Sequence, residues 1–346
     1  MSPKHVLITG GAGFIGSNAA AFYLRQGSHV TILDNFSRIG SGLNASWLKK
    51  VSHADRLTII KGDVRKPTVV LQKVVKKASL VLHLAGQVAV TTSIQNQVAD
   101  FDSNAFGTLS MLETVRKYGN NPVFIYSSTN KVYGGLEGIS TKDIATRYVF
   151  RNLRFGINEN QPLDFHSPYG CSKGAADQYV RDYHRIFNMN TIVFRQSCIY
   201  GPHQFGVEDQ GWLAWFIISL LRNKPLTIYG TGKQVRDVLY IDDLLHAYDR
   251  ASSNIKKTKG QIYNIGGGIL NTISVWNEFR PILEKLFNTQ LSATFSPQRL
   301  GDQPIYVSDI RKAARDFGWK PTISFKKGIL LLHAWIMENQ RLFTSL

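Results

Sequence analysis

Cysteine is scarce in this sequence, and long apolar runs are missing. The only cysteines among its 346 residues, Cys171 and Cys198, exclude a disulfide scaffold and are typical of a reducing compartment. The longest apolar runs, at 213–221 and 329–337, are shorter than the roughly 20 residues that span a bilayer. The first apolar run begins at His5, so we expect no secretion signal. These absences predict a cytoplasmic protein without a membrane partner.

Acidic residues are also few. Asp and Glu number 24 against 41 Lys and Arg, a formal net charge of +17, which favours an anionic partner. The basic residues are spread out, however, and cluster only in short pairs such as Lys49-Lys50 and Lys76-Lys77. A dedicated nucleic-acid-binding face would concentrate them among aromatic residues. We therefore expect no nucleic-acid partner.

Strand-like and helix-like stretches alternate through the first part of the chain. This rhythm predicts an α/β fold with a doubly wound parallel sheet. The length favours two lobes, and 43% hydrophobic residues are enough for a large core. We expect one domain over 1–195, to which the chain returns at about 236–267, and a smaller C-terminal lobe from 196–235 and 268–346.

A glycine-rich turn follows the first apolar run, at residues 5–9. Glycines stand at positions 10, 13 and 16, and residues 17–25 read as a helix. Strand, glycine turn and helix form the context of a dinucleotide site. We expect Gly10 to make the tight turn, Gly13 to admit a pyrophosphate and Gly16 to let helix and strand pack closely. An ordinary glycine-rich turn is the alternative.

A carboxylate ends the second apolar run, at residues 29–33. Asp34 lies eighteen residues after Gly16 and can accept hydrogen bonds from the adenosine ribose. A carboxylate there repels a 2′-phosphate, which favours NAD over NADP. Asp34 could instead cap a loop, but glycines, strand and acid at this spacing favour the cofactor site.

Two further strand-like runs end in polar or small residues. The run 57–60 precedes Asp63, which could bond the adenine edge, and the run 80–84 precedes Ala85-Gly86-Gln87, where a cofactor could cross the sheet. Both are loop positions at which polar residues need no special reason. We take them as cofactor contacts because ligands of parallel sheets bind beyond the carboxyl ends of the strands.

The next strand supplies hydroxyl groups to the same edge. Residues 101–118 read as an amphipathic helix that carries Asn104, and residues 123–126 read as a strand that ends in Ser127 and Thr129. We expect both hydroxyls at the site because of their place at a strand end. Residues 130–168 then read as a long loop over it.

Tyr169 and Lys173 lie four residues apart at the start of a predicted helix, 169–187. That spacing places both on one helical face, and Pro168 suits a helix start. A phenol has a pKa of about 10, and a neighbouring cation would lower it, so that the tyrosine could exchange a proton with a substrate hydroxyl. A helix start with a surface lysine is the alternative.

Basic residues in the C-terminal part could hold phosphates. Residues 230–237 read as a polar turn in which Arg236 could bind a diphosphate, and Arg299 and Asp302 could supply an anion contact and a ribose acceptor. Surface arginines usually have no such role. Residues 261–265 read as a strand that returns to the large sheet.

These motifs occur in the order typical of one enzyme family. The chain resembles, over essentially its whole length, the extended short-chain dehydrogenase/reductase family that modifies nucleotide-activated sugars. The resemblance implies a Rossmann domain, tightly bound NAD, a nucleotide-diphosphate sugar as substrate and no metal site. It implies catalytic roles for Thr129, Tyr169 and Lys173, and a homodimer or homotetramer in which helices 101–118 and 169–187 pair across a two-fold axis.

Motifs and resemblance together assign two sets of binding residues. The expected cofactor contacts are Gly10, Gly13, Phe14, Ile15, Gly16, Asp34, Asn35, Ser37, Asp63, Val64, Leu84, Ala85, Gln87, Asn104, Ser127, Tyr169 and Lys173. The expected substrate contacts are Thr129, Asn130, Gln196, Ser197, Arg236, Arg299 and Asp302.

The residues after Thr129 narrow the reaction that the resemblance implies. Sugar-nucleotide 4,6-dehydratases place an Asp-Glu pair there, whereas this chain has Asn130-Lys131, which counts against a dehydratase. The runs 127–134, 164–179 and 209–212 are similar to the branch of the family that inverts C2 of CDP-activated sugars, in lipopolysaccharide O-antigen synthesis. A CDP-sugar is therefore the favoured substrate.

The implied mechanism is transient oxidation of the sugar. Tyr169 takes the proton of the C2 hydroxyl, Thr129 bonds the same oxygen and Lys173 lowers the pKa of the phenol; the 2-keto sugar turns and is reduced on its other face. A UDP-hexose 4-epimerase shares these residues and is the alternative, followed by a non-catalytic NAD- or RNA-binding protein. Cys198-Ile199 stands where many relatives carry a diphosphate-binding asparagine, so phosphate binding is expected to depend more on the arginines.

Overall fold

Short apolar segments form the strands of the protein. The computed structural model describes residues 3–299 and 301–343. Its strands are β1 (His5–Thr9), β2 (His29–Asp34), β3 (Leu57–Lys61), β4 (Leu80–His83), β5 (Val123–Thr129), β6 (Thr141–Asp143), β7 (Tyr148–Phe150), β8 (Thr191–Gln196), β9 (Cys198–Tyr200), β10 (Thr227–Tyr229), β11 (Val235–Tyr240), β12 (Ile262–Ile265), β13 (Thr272–Ser274), β14 (Thr294–Ser296) and β15 (Ile305–Tyr306).

Helices connect most of these strands. The α-helices are α1 (Phe14–Arg25), α2 (Ser41–Leu48), α3 (Val69–Lys77), α4 (Val90–Gln95), α5 (Gln97–Phe101), α6 (Gly107–Tyr118), α7 (Ser167–Phe187), α8 (Trp212–Leu221), α9 (Ile241–Ser253), α10 (Ile255–Thr258), α11 (Phe279–Phe287), α12 (Arg311–Phe317) and α13 (Phe325–Glu338). Among the described residues, no helix is both long and apolar enough to cross a membrane.

The large sheet confirms the predicted doubly wound fold. Its seven strands are parallel in the order β12-β8-β5-β4-β1-β2-β3. The order reverses at β1, which pairs with β2 on one side and β4 on the other. At such a reversal the helices leave toward opposite faces, so a crevice opens beyond the carboxyl ends of these strands. The returning strand predicted at 261–265 is β12, beside β8.

Both faces of this sheet are buried. Side chains alternate along a strand, so Leu7 and Ile8 of β1 enter separate cores on opposite faces, and both are fully buried. Burying such a side chain contributes roughly 1.5–3 kcal/mol each. The continuous apolar sequence of β1 and β4 follows from this two-sided burial.

The C-terminal part adds smaller sheets around β11. This strand pairs with β13 and β15, and its second half pairs with β9, while β10 pairs with β14. The segment predicted as a polar turn at 230–237 is therefore partly wrong, because Arg236 and Asp237 lie in the buried strand β11. Asp237 is satisfied by the backbone N–H groups of Gly268 and Ser308, each at 3.1 Å.

The helix predicted at 101–118 and the loop predicted at 130–168 also differ in detail. A π-helical turn over Asp102–Phe106 separates α5 from α6. Thr108 Oγ1 donates to the Asn104 carbonyl at 2.6 Å, a side-chain bond that competes with the helical ladder there. The loop contains a 3₁₀ turn, Asn130–Tyr133, and the hairpin of β6 and β7.

Candidate active site

A cleft of about 710 Å³ opens at the carboxyl ends of the parallel strands. Its walls come from the turn after β1, the loops after β2, β3 and β4, the end of β5, the start of α7 and the segment 196–213. The cleft lies where the strand order reverses at β1, as expected for this topology.

The cleft gathers most of the predicted site residues. Those that line it are Gly10, Gly13, Phe14, Ile15, Gly16, Asp34, Asn35, Ser37, Asp63, Val64, Leu84, Ala85, Gln87, Ser127, Thr129, Asn130, Tyr169, Lys173, Gln196 and Ser197. Four others, Asn104, Arg236, Arg299 and Asp302, are not among its lining residues.

The glycine turn has the shape of a dinucleotide cradle. Gly10 has a φ of +68°, and a Cβ at Gly16 would lie 2.2 Å from the Gly10 carbonyl oxygen, so a larger residue fits neither position. Helix α1 begins at Phe14, earlier than predicted, and its N-cap Gly13 makes no side-chain hydrogen bond. The first N–H groups of α1 therefore suit the phosphates of a dinucleotide.

Two carboxylates beside the turn differ in their partners. Asp34 accepts hydrogen bonds from the backbone N–H groups of Ala12 at 2.9 Å and Phe36 at 2.8 Å, which hold it at the cleft edge. Asp63 forms a two-point ion pair with Arg65, whose Nη2 lies 2.6 Å from Oδ2 and lowers the pKa of that carboxyl. Asp34 thus sits where the adenosine ribose of NAD would bind, and the cradle fits that cofactor.

Tyr169 enters the cleft from the first turn of α7. Pro168 occupies that turn as predicted, and the Tyr169 N–H donates to Ser93 Oγ at 3.1 Å. Burial raises the pKa of the Tyr169 phenol to about 12, while the Thr129 hydroxyl at the end of β5 acts against the rise. The phenol and the Thr129 hydroxyl are therefore close enough to contact the same substrate atom in the cleft.

Lys173 is held by contacts at the end of β5, and its predicted effect on the pKa of Tyr169 stays a prediction. Its Nζ donates to the Ser127 carbonyl at 2.5 Å and lies 4.3 Å from the centre of the Tyr126 ring. Burial lowers the pKa of Lys173 to about 7, and the nearby carboxylates of Asp177 and Asp100 oppose that shift. The ammonium is therefore held at the end of β5, and burial decides the pKa of the phenol.

Asn104 lies behind the cleft wall. Its Nδ2 donates to Asp100 Oδ1 at 3.1 Å and to Ser172 Oγ at 3.0 Å, while its Oδ1 is buried without a partner. Ser172 in turn donates to Asp100 at 2.5 Å. Because a Cβ at Gly86 would lie 2.5 Å from that Oδ1, the backbone after β4 passes close to the amide.

The predicted phosphate-binding residues form a charged group of their own. Arg299 Nη2 lies 2.9 Å from Asp209 Oδ1. Asp302 lies 3.2 Å from Lys131 Nζ and 3.7 Å from Arg236 Nη2. Arg236, Arg299 and Asp302 are thus engaged with charged partners in this structure.

Sequence reasoning missed several lining residues. Arg38, in the loop after β2, hydrogen-bonds Gln210, and its charge also acts on the pKa of Tyr169. Gln210 belongs to the segment 209–212, which was read only as a mark of resemblance, and nothing local marks Arg38. Further unpredicted lining residues are Leu33, Gly62, Arg65, Val88, Thr92, Asn96, Ala99, Asp100, Ser103, Ser128, Cys198, Ile199, Tyr200, Gln204, Gly211, Trp212 and Leu213.

Known proteins share this architecture. The chain is 46% identical over 336 residues to a CDP-paratose 2-epimerase of Salmonella typhi, covering 95% of this chain and 98% of that protein. A crystal structure of UDP-glucose 4-epimerase from Thermotoga maritima with UDP-glucose superposes with a TM-score of 0.79 at 26% identity, covering 97% and 99% of the two chains. A dTDP-glucose 4,6-dehydratase of Streptomyces venezuelae, solved with NAD, gives 0.82 at 27% identity, covering 97% and 98%.

The family itself is shown by a match to a family profile. Residues 6–266 match the profile of the NAD dependent epimerase/dehydratase family. That range includes the glycine turn, Thr129, Tyr169 and Lys173, and it confirms the predicted resemblance to extended short-chain dehydrogenase/reductase enzymes. The chain therefore belongs to the NAD dependent epimerase/dehydratase family.

Proposed function

We propose that this enzyme is a 2-epimerase of a CDP-activated sugar, which converts CDP-paratose to CDP-tyvelose. The proposal rests on the residues at the end of β5. Thr129 shares the cleft with Tyr169, whereas Asn130 and Lys131 supply no carboxylate for a dehydration. Identity of 46% to a CDP-paratose 2-epimerase supports the substrate and, with it, cytoplasmic synthesis of O-antigen sugars.

The chain's own residues handle the proton in this reaction. Tyr169 removes the proton of the C2 hydroxyl and later returns it, while Thr129 donates a hydrogen bond to the same oxygen. Lys173, whose Nζ donates to the Ser127 carbonyl, would lower the pKa of the phenol and bind the nicotinamide ribose. The reaction brings no net oxidation or reduction. The cleft must therefore retain the 2-keto sugar while the sugar turns its other face toward the nicotinamide.

The glycine turn and Asp34 hold NAD throughout the cycle. The bound NAD would supply the hydride acceptor and donor for C2. Tight binding follows from the requirement that the same cofactor molecule serve both half-reactions. Contacts to the remaining predicted cofactor residues, Asn104 included, belong to this proposal.

The C-terminal lobe, residues 196–235 and 268–346, binds the nucleotide. Arg236 and Arg299 would hold the diphosphate, and Asp302 the ribose, after the rearrangement of their present ion pairs. Gln196, Ser197 and Asn130 would contact the sugar. Gln196, Ser197 and Asn130 line the cleft, whereas the roles of Arg236, Arg299 and Asp302 rest on their charge and on the family resemblance.

Exposed apolar side chains support a homodimer or homotetramer. They lie on α5, the π-turn and α7, where Val98 is 72% exposed and Ile186 66%. Phe101, Phe106 and Phe187 are exposed nearby. A second copy packed there by a two-fold axis would bury these side chains.

Product analysis tests the proposal. The purified protein is incubated with CDP-paratose and, separately, with UDP-glucose, and the products are identified by NMR. Inversion at C2 of the CDP-sugar is expected. A UDP-hexose 4-epimerase is the second candidate, supported by the likeness to the Thermotoga maritima structure, and inversion at C4 of UDP-glucose alone would favour it.

A further inference from the structure

Lys131 is a buried cation tied to the far end of the chain. It lies two residues after Thr129, and its Nζ donates to the Gly301 carbonyl at 2.9 Å and to Asp302 Oδ1 at 3.2 Å. Its side chain is 17% exposed. Burying an ammonium is costly unless it is paired, so these contacts account for the charge.

The neighbouring Asn130 reaches the same segment. Its Nδ2 donates to Gln303 Oε1 at 3.1 Å, and Gln303 Nε2 donates to the Gly134 carbonyl at 2.6 Å. Gln303 is fully buried. Two consecutive side chains after the catalytic threonine therefore hold residues 301–303 against the end of β5.

Lys131 and Arg236 share one carboxylate. Asp302 lies 3.2 Å from Lys131 Nζ and 3.7 Å from Arg236 Nη2, whose side chain is 10% exposed. Two cations and one anion leave a net positive charge in a poorly hydrated place, which favours an incoming anion.

This charge lies within reach of the cleft. Cys198 is part of the cleft wall. Burial raises the pKa of its thiol and the charge of Asp237 adds to the rise, whereas the charges of Arg236 and Lys131 act against it. Asn130, which directly precedes Lys131, also lines the cleft, so Lys131 adjoins the wall at which an anion would bind.

We propose that Lys131 is a positioning residue for the diphosphate of the nucleotide sugar. By sharing Asp302 with Arg236 it weakens the attraction of that carboxylate for the guanidinium, which can then turn to the substrate, and it fixes residues 301–303 relative to Thr129. Without Lys131, Asp302 would pair with Arg236 alone. The guanidinium would then be less available to bind phosphate. The inference rests on the proposed nucleotide-sugar function and deepens it with a specificity residue at a position where dehydratases have a carboxylate.

Calorimetric titration with CDP, using protein of measured NAD content, tests this role. We expect Lys131→Met to weaken CDP binding roughly tenfold, because Asp302 would then hold Arg236 alone. Lys131→Arg should restore most of the affinity. Lys142→Met, which removes an exposed lysine of the β6–β7 hairpin, is the matched control and should bind as the unaltered protein does. With CDP-paratose, Lys131→Met should raise KM more than it lowers kcat.

Two results would overturn the inference while leaving the proposed function intact. One is CDP binding by Lys131→Met within about twofold of the unaltered protein. The other is an affinity loss that accompanies a lowered unfolding temperature and is not restored by Lys131→Arg, since Lys131 would then be purely structural. If the unaltered protein binds no CDP, the proposed substrate itself is wrong.

Discussion

Arg195 and Asp177 form a two-point ion pair behind the start of α7. Nε and Nη2 of the guanidinium each lie 2.9 Å from a carboxylate oxygen, and the side chains are 2% and 0% exposed. Ser128 Oγ donates to the same carboxylate at 2.7 Å. The ion pair therefore joins α7, which carries Tyr169, to β8, and the Ser128 hydrogen bond joins α7 to the end of β5, which carries Thr129.

Removing the arginine should destabilise the whole protein. Arg195→Met leaves the Asp177 carboxylate buried without its cation, a change expected to cost about 3–5 kcal/mol in the free energy of unfolding. Arg315→Met is the matched control, because Arg315 is 71% exposed and its pair with Asp316 should contribute at most about 1 kcal/mol. Urea unfolding measures both, and equal losses would contradict this account of the buried pair.

The glycine turn allows a comparison of two glycine-to-alanine variants. A methyl group at Gly16 would lie 2.2 Å from the Gly10 carbonyl oxygen and 2.6 Å from the Gly11 Cα, both backbone atoms that cannot move aside. Gly16→Ala should therefore lower NAD content and thermal stability together. Gly42→Ala, in α2 with no atom within 4 Å of the new methyl, should leave NAD content unchanged and stabilise the protein by up to about 1 kcal/mol. If Gly16→Ala retained NAD in full, the proposed role of the glycine turn in cofactor binding would be wrong.

His83 makes stability depend on pH. Its ring is fully buried between Thr9 Oγ1 at 2.7 Å and Thr108 Oγ1 at 3.0 Å, and burial lowers its pKa from 6.5 to about 3. Between these values the unfolded chain binds a proton that the folded protein does not. Stability therefore falls as the pH falls below 6.5, by about 1.4 kcal/mol per pH unit from this group.

Replacing the ring tests that slope. His83→Gln keeps a polar side chain without the titration, so the difference in unfolding free energy between the two proteins should change by about 1.4 kcal/mol per unit from pH 6 to pH 4. Urea unfolding at several pH values measures it. Parallel pH profiles would mean that His83 is protonated in the folded protein.

Local sequence was enough to predict the large sheet. The strands β1, β2 and β4 are short apolar runs followed by glycine or polar residues, and the strand-to-helix rhythm leaves few alternatives to a doubly wound topology. Because the carboxyl ends of parallel strands meet at one edge, Asp34 and Thr129 could be placed together without any knowledge of contacts.

Contacts between distant residues could not be predicted. Lys131 and Asp302 lie 171 positions apart, and Arg38 and Gln210 lie 172 apart, so no periodicity links them. Tertiary burial also overrides local chemistry. The ammonium of Lys173, expected beside the phenol, donates to a backbone carbonyl at the end of β5, a contact that no local pattern indicates.

The hairpin of β6 and β7 was missed for a related reason. Its strands have three residues each in a polar segment, with no alternation long enough to indicate them. Tertiary contacts hold the segment in place: Arg147 Nε donates to Glu278 Oε1 at 2.7 Å, and the Tyr148 N–H donates to the Lys233 carbonyl at 3.1 Å.

Tyr169 provides the test of proton transfer. Tyr169→Phe should reduce turnover of the nucleotide sugar by at least about a hundredfold, because the enzyme then lacks the phenol that acts as acid and base. NAD content, read by absorbance after denaturation, should stay unchanged. Tyr118→Phe, which removes an exposed phenol, should retain full activity. Substantial turnover by Tyr169→Phe would remove Tyr169 from the mechanism.

The most direct test of C2 epimerisation uses CDP-paratose with deuterium at C2. If the hydride leaves C2 and returns from the same tightly held cofactor, the label never exchanges with solvent. NMR of the product should then show inverted configuration at C2 with the deuterium still there. A product inverted at C4, or one carrying solvent hydrogen at C2, would contradict the proposed reaction.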